Sequence, residues 1–186
     1  MSYDFINVGD TEGLFYVGDI KARTLERTMP AMTLLMPYFD MTGIFGWSSK
    51  EVLVSTPAKN YTVNEYHRLF RDMNFIDGYH MWLNGAKIIP SLPAPGVEIV
   101  CIHGNGFPTP GIIKYKTEKD FPDGDPDIVK DDGDGTVNLR SLQACLKFKA
   151  MQINKFTYHV LNKQSHMEIL RSTAFLDYVK AYISNL

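Results

Sequence analysis

The amino-acid sequence predicts an α/β fold, in which helices alternate with the strands of a parallel sheet. A continuous β-branched run at Val97–His103 is typical of a strand that is buried on both faces. A second strand pattern, at Phe156–Leu161, lies between a helical pattern that begins at Asn138 and another at Ile169–Ile183. The order strand, helix, strand, helix is that of an open α/β sheet, whose reacting groups lie at the carboxyl ends of the strands.

The composition is that of an ordinary globular chain and argues against some partners. The 186 residues can form one sizeable core, since 45% are apolar and 22% are charged. The net charge of −2, without a cluster of Lys and Arg, argues against a nucleic-acid partner. No apolar run approaches the roughly 20 residues that cross a bilayer. The residues Met1–Asp4 also lack the basic and apolar regions of a signal peptide.

The first 48 residues differ from the rest of the chain. They are rich in Gly, Met and aromatic residues and show little periodicity, which predicts a loop or cap at 1–48 and the framework at 49–186. Within them, Leu34–Trp47 is apolar and is broken by Pro and Gly. Two interpretations are open: this segment packs into the core beneath a loop, or it forms a lipid-facing lip or acyl pocket.

The clearest local pattern is a capping box, in which Thr62 and Glu65 satisfy each other's backbone N–H groups at the start of a helix. Apolar residues then recur at helical spacing, which predicts a helix at 63–74 that ends near Asp77-Gly78. The other local predictions are a strand at Val52–Val54, a loop at 84–96 and a turn at 104–110.

The stretch 118–135 is strongly acidic, and we predict a solvated loop there. It does not fit the calcium loop of an EF-hand, which requires Gly at its sixth position. Counted from Asp123 that position is Ile128, and counted from Asp132 it is Val137. The sequence therefore predicts no EF-hand calcium site in this stretch.

Two turns carry the candidate chemistry. Asp134 lies between Gly133 and Gly135, after the acidic stretch and before a helix, and His166 follows a strand directly. Both are placed where the carboxyl ends of strands meet. In α/β-hydrolase triads the order along the chain is nucleophile, Asp, His, and the carboxylate fixes the imidazole tautomer. The sequence therefore predicts Asp134 as the acid and His166 as the base of a nucleophilic hydrolase.

The alternatives concern the base and the nucleophile. His103 is the main rival as base, because it too ends a strand and meets a Gly-rich turn. None of the nine serines lies in a Gly-x-Ser-x-Gly turn. Cys101 within a strand and Cys145 on the inner face of a helix are poorly placed for attack and well placed for a disulfide.

The two cysteines and the sequon at Asn60 leave the compartment open. Two free cysteines are common in a cytosolic protein, and a sequon often arises by chance. Both features would be explained together if the chain were the later part of a secreted precursor.

Several motifs occur together in this chain, at Val54–Pro57, Asn60–Thr62, Gly106–Pro110, Gly133–Leu139 and His166–Glu168. Jointly they resemble the lecithin-cholesterol acyltransferase family, closest to its lysosomal phospholipase A and transacylase branch. The similarity runs through nearly all 186 residues and covers the C-terminal half of a typical member.

The resemblance implies the C-terminal half of an α/β-hydrolase fold, with an incomplete sheet and with residues 1–48 as a lid. It implies that Asp134 is the triad aspartate and His166 the triad histidine, and that Cys101 pairs with Cys145. The serine turn, the oxyanion donors, the membrane-binding subdomain and the signal peptide of relatives would lie upstream of this chain.

The reaction that the resemblance implies is acyl transfer from a phospholipid ester through an acyl-enzyme to water or a lipid alcohol, without a cofactor or metal. The implied partners are the phospholipid, the acyl acceptor and a membrane or lipoprotein surface. The implied location is secreted or lysosomal, with Asn60 as a glycosylation site. An alternative is a catalytically inactive short product that binds lipid or interferes with the enzyme. A third hypothesis is an unstable fragment.

Overall fold

The computed structural model describes residues 19–41, 44–87 and 93–185. The first 18 residues of the predicted cap and residues 88–92 of the predicted loop lie outside this description.

The described residues divide into two compact units, each of which contains helices and strands. The first unit is formed by residues up to 92 together with 111–129. The second is formed by 93–110 together with the residues from 130 onward. The predicted mixed α/β class is confirmed. The division of the chain at residue 48 stays a prediction.

The helices and strands are short. In the described residues the strands are β1 (Val54–Ser55), β2 (Asn60–Tyr61), β3 (Ile99–Asn105), β4 (Phe107–Lys114), β5 (Asp127–Gly133) and β6 (Phe156–Asn162). The α-helices are α1 (Asp19–Glu26), α2 (Pro30–Leu34), α3 (Tyr66–Asp72), α4 (Ile76–Ala86), α5 (Leu139–Leu142), α6 (Leu146–Met151) and α7 (Thr173–Ile183). β1 pairs antiparallel with β2 and parallel with β4, in a sheet of order β2, β1, β4, β5.

The first unit contains the hydrophobic core, and α3 is central to it. The capping box is present: Asn64 N–H donates to Thr62 Oγ1 at 3.3 Å, and Thr62 N–H donates to the Glu65 carboxylate at 3.2 Å. The helix predicted at 63–74 is therefore confirmed in its start, although its first turn is a 3₁₀ turn. The largest fully buried side chains of this core are Tyr61, Tyr66, Phe70, Tyr115, Met36, Leu53, Leu69, Ile113 and Val54.

Asp72 at the end of α3 ties this helix to β2. Its carboxylate accepts hydrogen bonds from Lys59 Nζ at 2.6 Å and from the Tyr61 hydroxyl at 2.9 Å, and it also binds Arg71. Burial alone would raise the pKa of Asp72, but these donors outweigh it and lower the pKa to about 2. The contribution of Asp72 to stability is present above an unfolded pKa of about 3.8 and is lost as the pH falls through 2.

The helix α4 corrects two predictions. The chain continues as a helix through Asp77-Gly78, and the same helix extends to Ala86, inside the predicted loop at 84–96. Two glycines made a helix look improbable, since glycine disfavours helix interiors. A Cβ on Gly78 would overlap the Phe70 ring, and one on Gly85 would overlap a leucine of α2. Close packing against the neighbouring helices therefore overrides local propensity.

Strands also replace a predicted turn and part of a predicted loop. β4 begins at Phe107, inside the predicted turn at 104–110, and β5 occupies the end of the acidic stretch 118–135. β5 is the last strand of its sheet, and most of its residues are exposed. An edge strand tolerates charged side chains, which is why an acidic sequence can form one.

In the second unit, β3 and β6 form a two-stranded parallel sheet. Their register pairs Ile99 with Phe156 and Asn105 with Asn162. The helix α7 packs on one face, where the His159 and Tyr178 rings stack with centroids 4.5 Å apart.

The helical pattern at Ile169–Ile183 predicts that Ile169, Leu176, Val179 and Ile183 face inward, and part of this prediction is wrong. Leu176 and Ile183 are exposed, whereas Val179 does face β3 together with the aromatic rings of α7. The sequence pattern favoured aliphatic residues, but the tyrosines of this helix turn their rings toward the sheet and leave their hydroxyls at its rim.

Candidate functional site

Asp134 occupies a tight turn directly after β5, and it is 4% exposed. Its Oδ1 accepts N–H hydrogen bonds from Thr136 at 3.0 Å and from Val137 at 2.7 Å. Gly135 has φ +92°, which a residue without a side chain adopts readily. A Cβ on Gly133 would overlap the Val137 carbonyl oxygen. The two glycines thus permit the turn that aims the carboxylate.

His166 meets this carboxylate from the turn after β6. Its Nδ1 lies 3.0 Å from Asp134 Oδ2, and its backbone N–H donates to the Asp134 carbonyl oxygen at 2.9 Å. The turn approaches β3 so closely that a Cβ on Gly104 would overlap the Gln164 carbonyl oxygen. The His166 side chain is 45% exposed, and in the described residues its Nε2 makes no hydrogen bond. The structure therefore brings the predicted acid and base together, with one ring nitrogen open.

His103, the rival candidate, is bonded elsewhere. It is 4% exposed; its Nδ1 lies 2.7 Å from the Gly104 carbonyl oxygen and its Nε2 lies 2.7 Å from the Tyr158 hydroxyl. A carbonyl can only accept, so Nδ1 carries the proton and Nε2 accepts from Tyr158. Both ring nitrogens are occupied, which is the arrangement of a structural histidine.

Thr109 stabilises the Asp134 turn through its hydroxyl, a role that no sequence pattern predicts. It is fully buried; its hydroxyl donates to the Phe107 carbonyl at 2.9 Å and accepts the Gly135 N–H at 3.0 Å. The buried Asn138 adds a second link, from its Nδ2 to the Pro110 carbonyl at 2.8 Å. The available signal was that Thr109 lies between Pro108 and Pro110. Proline has no backbone N–H, so a nearby carbonyl needs another donor, such as the threonine hydroxyl.

Thr109→Val should destabilise the turn while keeping its shape. The valine methyl leaves the Gly135 N–H without its acceptor, and the loss of a partly buried hydrogen bond of this kind costs about 0.5–1.5 kcal/mol. Urea unfolding of the chain measures this loss. Thr109→Ser is the matched control, because it keeps the hydroxyl and should recover most of the lost stability. Equal stability of the Val and Ser variants would contradict the role assigned to the hydroxyl.

Comparison with known protein families identifies the family of this chain. The family model described as Lecithin:cholesterol acyltransferase matches residues 2–173. The chain belongs to the lecithin:cholesterol acyltransferase family.

Curated members of this family resemble the chain over nearly its whole length. It is 37% identical to the lysosomal phospholipase A and acyltransferase of Mus musculus over 172 residues, which are 92% of this chain and 40% of that protein. It is 34% identical to the Homo sapiens protein of the same name over the same shares. It is 35% identical to the phosphatidylcholine-sterol acyltransferase of Gallus gallus, over 90% of this chain and 39% of that protein. The chain thus spans about two fifths of the length of these relatives.

No described serine hydroxyl bonds to His166. Ser165 Oγ accepts from the Glu168 N–H at 3.4 Å, and Ser172 Oγ caps α7 by accepting from the Phe175 N–H at 3.2 Å. The described residues contain no group of three His, Cys, Asp or Glu side chains suited to a metal ion. None of the described helices is both long and apolar enough to traverse a bilayer.

Cys101 and Cys145 form a disulfide, the pairing that the resemblance implies. The bond joins β3 to the 3₁₀ turn that follows α5, and it closes a separation of 44 residues. It thereby connects the strand that ends near His103 to the helical segment that begins just after Asp134.

The described part of the apolar segment Leu34–Trp47 lies in the first unit, and its interpretation as a lipid-facing lip or acyl pocket stays a prediction. Met36 and Trp47 are buried in the core of the first unit. Tyr38 and Phe39 line a pocket of about 410 Å³ in the same unit, whose other rings come from α3 and α4. The segment therefore contributes to core packing and to an aromatic pocket.

Proposed function

We propose that this chain is the C-terminal half of an α/β-hydrolase fold and supplies the acid and base of a Ser-His-Asp acyl-transfer centre. The serine would come from a part of the enzyme outside this chain, and the substrates would be phospholipid esters. The observation that carries the proposal is the 3.0 Å contact between Asp134 Oδ2 and His166 Nδ1, with Nε2 open. The names of the relatives, phospholipase and acyltransferase, support the substrate class.

The contacts support one task for each group. An ionised Asp134 can only accept, so the proton of the neutral imidazole lies on Nδ1 and Nε2 carries the lone pair. Nε2 takes the proton of the serine hydroxyl as its oxygen attacks the ester carbonyl. The buried carboxylate, whose second oxygen is held by two backbone N–H groups, stabilises the imidazolium that forms.

The second half of the reaction uses the same groups in reverse. The imidazolium gives its proton to the departing lysophospholipid oxygen, which leaves the acyl group on the serine. Nε2 then removes a proton from water or a lipid alcohol, which attacks the acyl-enzyme and releases a fatty acid or a new ester. The serine recovers its proton from His166, so the chain returns to its starting state.

A lipid surface as partner is supported by apolar side chains in the proposed lid, residues 1–48. In the described part of this segment the following large hydrophobics are exposed to solvent: Leu25, Met29, Leu35, Phe39, Met41 and Ile44. A concentration of exposed apolar residues is typical of surfaces that meet lipid or another protein. We accordingly propose a peripheral membrane or lipoprotein setting.

We also propose a secreted or lysosomal location, with Asn60 as a glycosylation site. Asn60 is exposed in β2, and the disulfide fits an oxidising compartment. One relative is named as a lysosomal enzyme.

The test is a chimaera in which this chain replaces the matching segment of the Mus musculus relative. It should release fatty acid from phosphatidylcholine vesicles, and His166→Ala should abolish that release. His80→Ala is the matched control, because His80 is an exposed histidine of α4 whose ring contacts Tyr79. A folded chimaera that binds vesicles but releases nothing would favour the alternative of a catalytically inactive, lipid-binding product.

A further inference from the structure

The first unit contains a pocket whose walls are mainly aromatic. Its volume is about 410 Å³, and nine described residues line it. Only Val63 and Ala86 among these nine are aliphatic, and none of the nine carries a carboxylate, ammonium or guanidinium group. The aromatic members are Tyr38, Phe39, Tyr66, Tyr79 and Trp82. Because the faces of aromatic rings are negative, walls of this kind favour a cationic group without a charged side chain to balance it.

Contacts among the rings hold these walls in place. The Trp82 ring meets the Tyr66 ring edge to face, with centroids 5.0 Å apart, and stacks on the Tyr79 ring at 5.8 Å. The Tyr66 hydroxyl donates to the Pro37 carbonyl oxygen at 2.7 Å, and Tyr66 is buried. A ligand would therefore enter a site that is already formed, and little of its affinity would be lost to ordering side chains.

Two buried polar atoms at this pocket are unpaired. The Tyr38 hydroxyl and the Trp82 Nε1–H are both buried, and within the described residues neither has a hydrogen-bond partner. The Tyr38 hydroxyl lies close to α4, since a Cβ on Gly85 would be 3.8 Å from it. Buried polar groups of native proteins are nearly always paired. Two unpaired groups at one pocket therefore indicate a ligand that brings hydrogen-bond acceptors.

Polar side chains also occupy the solvent-exposed side of the pocket. Asn64, in the 3₁₀ turn before α3, and His67, in α3, both line the pocket and are exposed. The His67 ring meets the Tyr79 ring edge to face, with centroids 5.0 Å apart. The amide of Asn64 and the ring of His67 can each donate a hydrogen bond. The mouth of the pocket therefore suits an anionic or strongly accepting group.

We propose that this pocket binds a phosphocholine group, either free or carried by a lipid. The trimethylammonium lies against the rings of Tyr66, Tyr79 and Trp82, which attract a quaternary cation through their faces. The phosphate lies at the mouth, where its oxygens accept from the Asn64 amide and the His67 ring. The rings select the cation, and the mouth selects the phosphate attached to it.

The charges of the ligand and of the pocket match. A phosphocholine group carries a positive and a negative charge together, which fits walls without charged side chains. Its phosphate also offers the acceptors that Tyr38 and Trp82 lack. The inference goes beyond the proposed function, because it uses residues of the first unit alone and needs neither Asp134 nor His166.

The first test is an NMR titration of the full chain with phosphocholine. The chain has two tryptophans, Trp47 and Trp82, so two indole N–H signals are expected, and Trp82→Phe assigns them. Phosphocholine should shift the Trp82 signal. It should leave the Trp47 signal in place, because Trp47 does not line the pocket. A Trp82 signal that phosphocholine does not move would overturn the proposal.

Neohexyl phosphate tests the contact between the cation and the rings. It has the shape of phosphocholine, with carbon in place of the charged nitrogen, so it should bind at least about fivefold more weakly. Inorganic phosphate alone should not shift the Trp82 signal. Equal affinities for phosphocholine and neohexyl phosphate would show a merely apolar pocket and would overturn the proposal.

His67→Ala tests the phosphate contact at the mouth. It should weaken phosphocholine binding by roughly tenfold, because a hydrogen bond to a charged group is lost, and should leave tetramethylammonium binding unchanged. His80→Ala is the matched control, because the His80 ring also contacts Tyr79 but does not line the pocket. Equal affinities of the two variants for phosphocholine would overturn the proposed phosphate contact.

Vesicle flotation identifies the source of the phosphocholine group. If His67→Ala floats less than His80→Ala with phosphatidylcholine vesicles, and equally with phosphatidylglycerol vesicles, the site takes a lipid head group. Equal flotation of both variants, with weaker binding of free phosphocholine by His67→Ala, would assign the site to a soluble phosphocholine compound. None of these measurements requires ester cleavage. An inactive chimaera would therefore count against the acid and base alone, and an unmoved Trp82 signal against this pocket alone.

Discussion

Asp134→Asn in the chimaera should lower kcat for phosphatidylcholine hydrolysis by about 10⁴-fold with little change in KM. The reason lies in the two backbone N–H groups that hold Oδ1. They would retain the oxygen of the new amide and turn its NH₂ toward His166 Nδ1. An amide nitrogen donates, so Nδ1 would have to accept and the ring proton would move to Nε2. The base would then present a proton where it needs a lone pair.

Asp177→Asn is the matched control for this substitution. Asp177 is exposed in α7 and is not part of the Asp134 turn, so its loss of charge should leave kcat unchanged. A drop in kcat of less than tenfold for Asp134→Asn, in a chimaera that remains folded, would show that the carboxylate does not orient the base.

Removing the disulfide should have the largest effect on stability. The bond closes a separation of 44 residues, and its loss should lower the free energy of unfolding by about 4 kcal/mol in the chain-entropy model. The effect should be severe, because the second unit contains so little buried apolar surface of its own. Urea unfolding of the Cys101→Ala/Cys145→Ala double variant measures the difference.

Reductant provides the control for that experiment. Dithiothreitol should shift the urea midpoint of the natural chain toward that of the double variant and should leave the double variant unaffected. If reductant fails to shift the midpoint of the natural chain, the bridge is not what stabilises this unit. A shift in the double variant would show an effect of reductant unrelated to these cysteines.

The proximity of Asp134 and His166 could be predicted from sequence, because the positions of both residues depend on local order. A strand pattern, a short turn and a helical pattern place His166 at a strand end, and two glycines mark the turn of Asp134. The choice of His166 over His103 had little support from spacing. It rests on which ring nitrogens are already bonded, and those bonds depend on Tyr158 and on the fold of β3.

Other parts of the fold could not be predicted, because they depend on packing between distant segments. Gly78 and Gly85 weaken α4 locally, yet they are required where it touches neighbouring helices. The charges of β5 indicate a loop until its place at the sheet edge is known. Thr109 was missed because its partner Gly135 lies 26 residues away. A hydroxyl that holds a distant turn leaves no periodic trace in the sequence.

Two hydrogen bonds join His166 to Asp134, and they determine when the candidate site becomes ordered. One bond joins their side chains and the other joins their main chains, so the backbone bond keeps the imidazole beside the carboxylate even when the side-chain bond breaks. The entropy of orienting the proposed acid and base is therefore lost when this unit folds, before any lipid is bound. Under the proposed function only the serine oxygen then has to be aligned with Nε2, and catalytic competence would depend on that alignment.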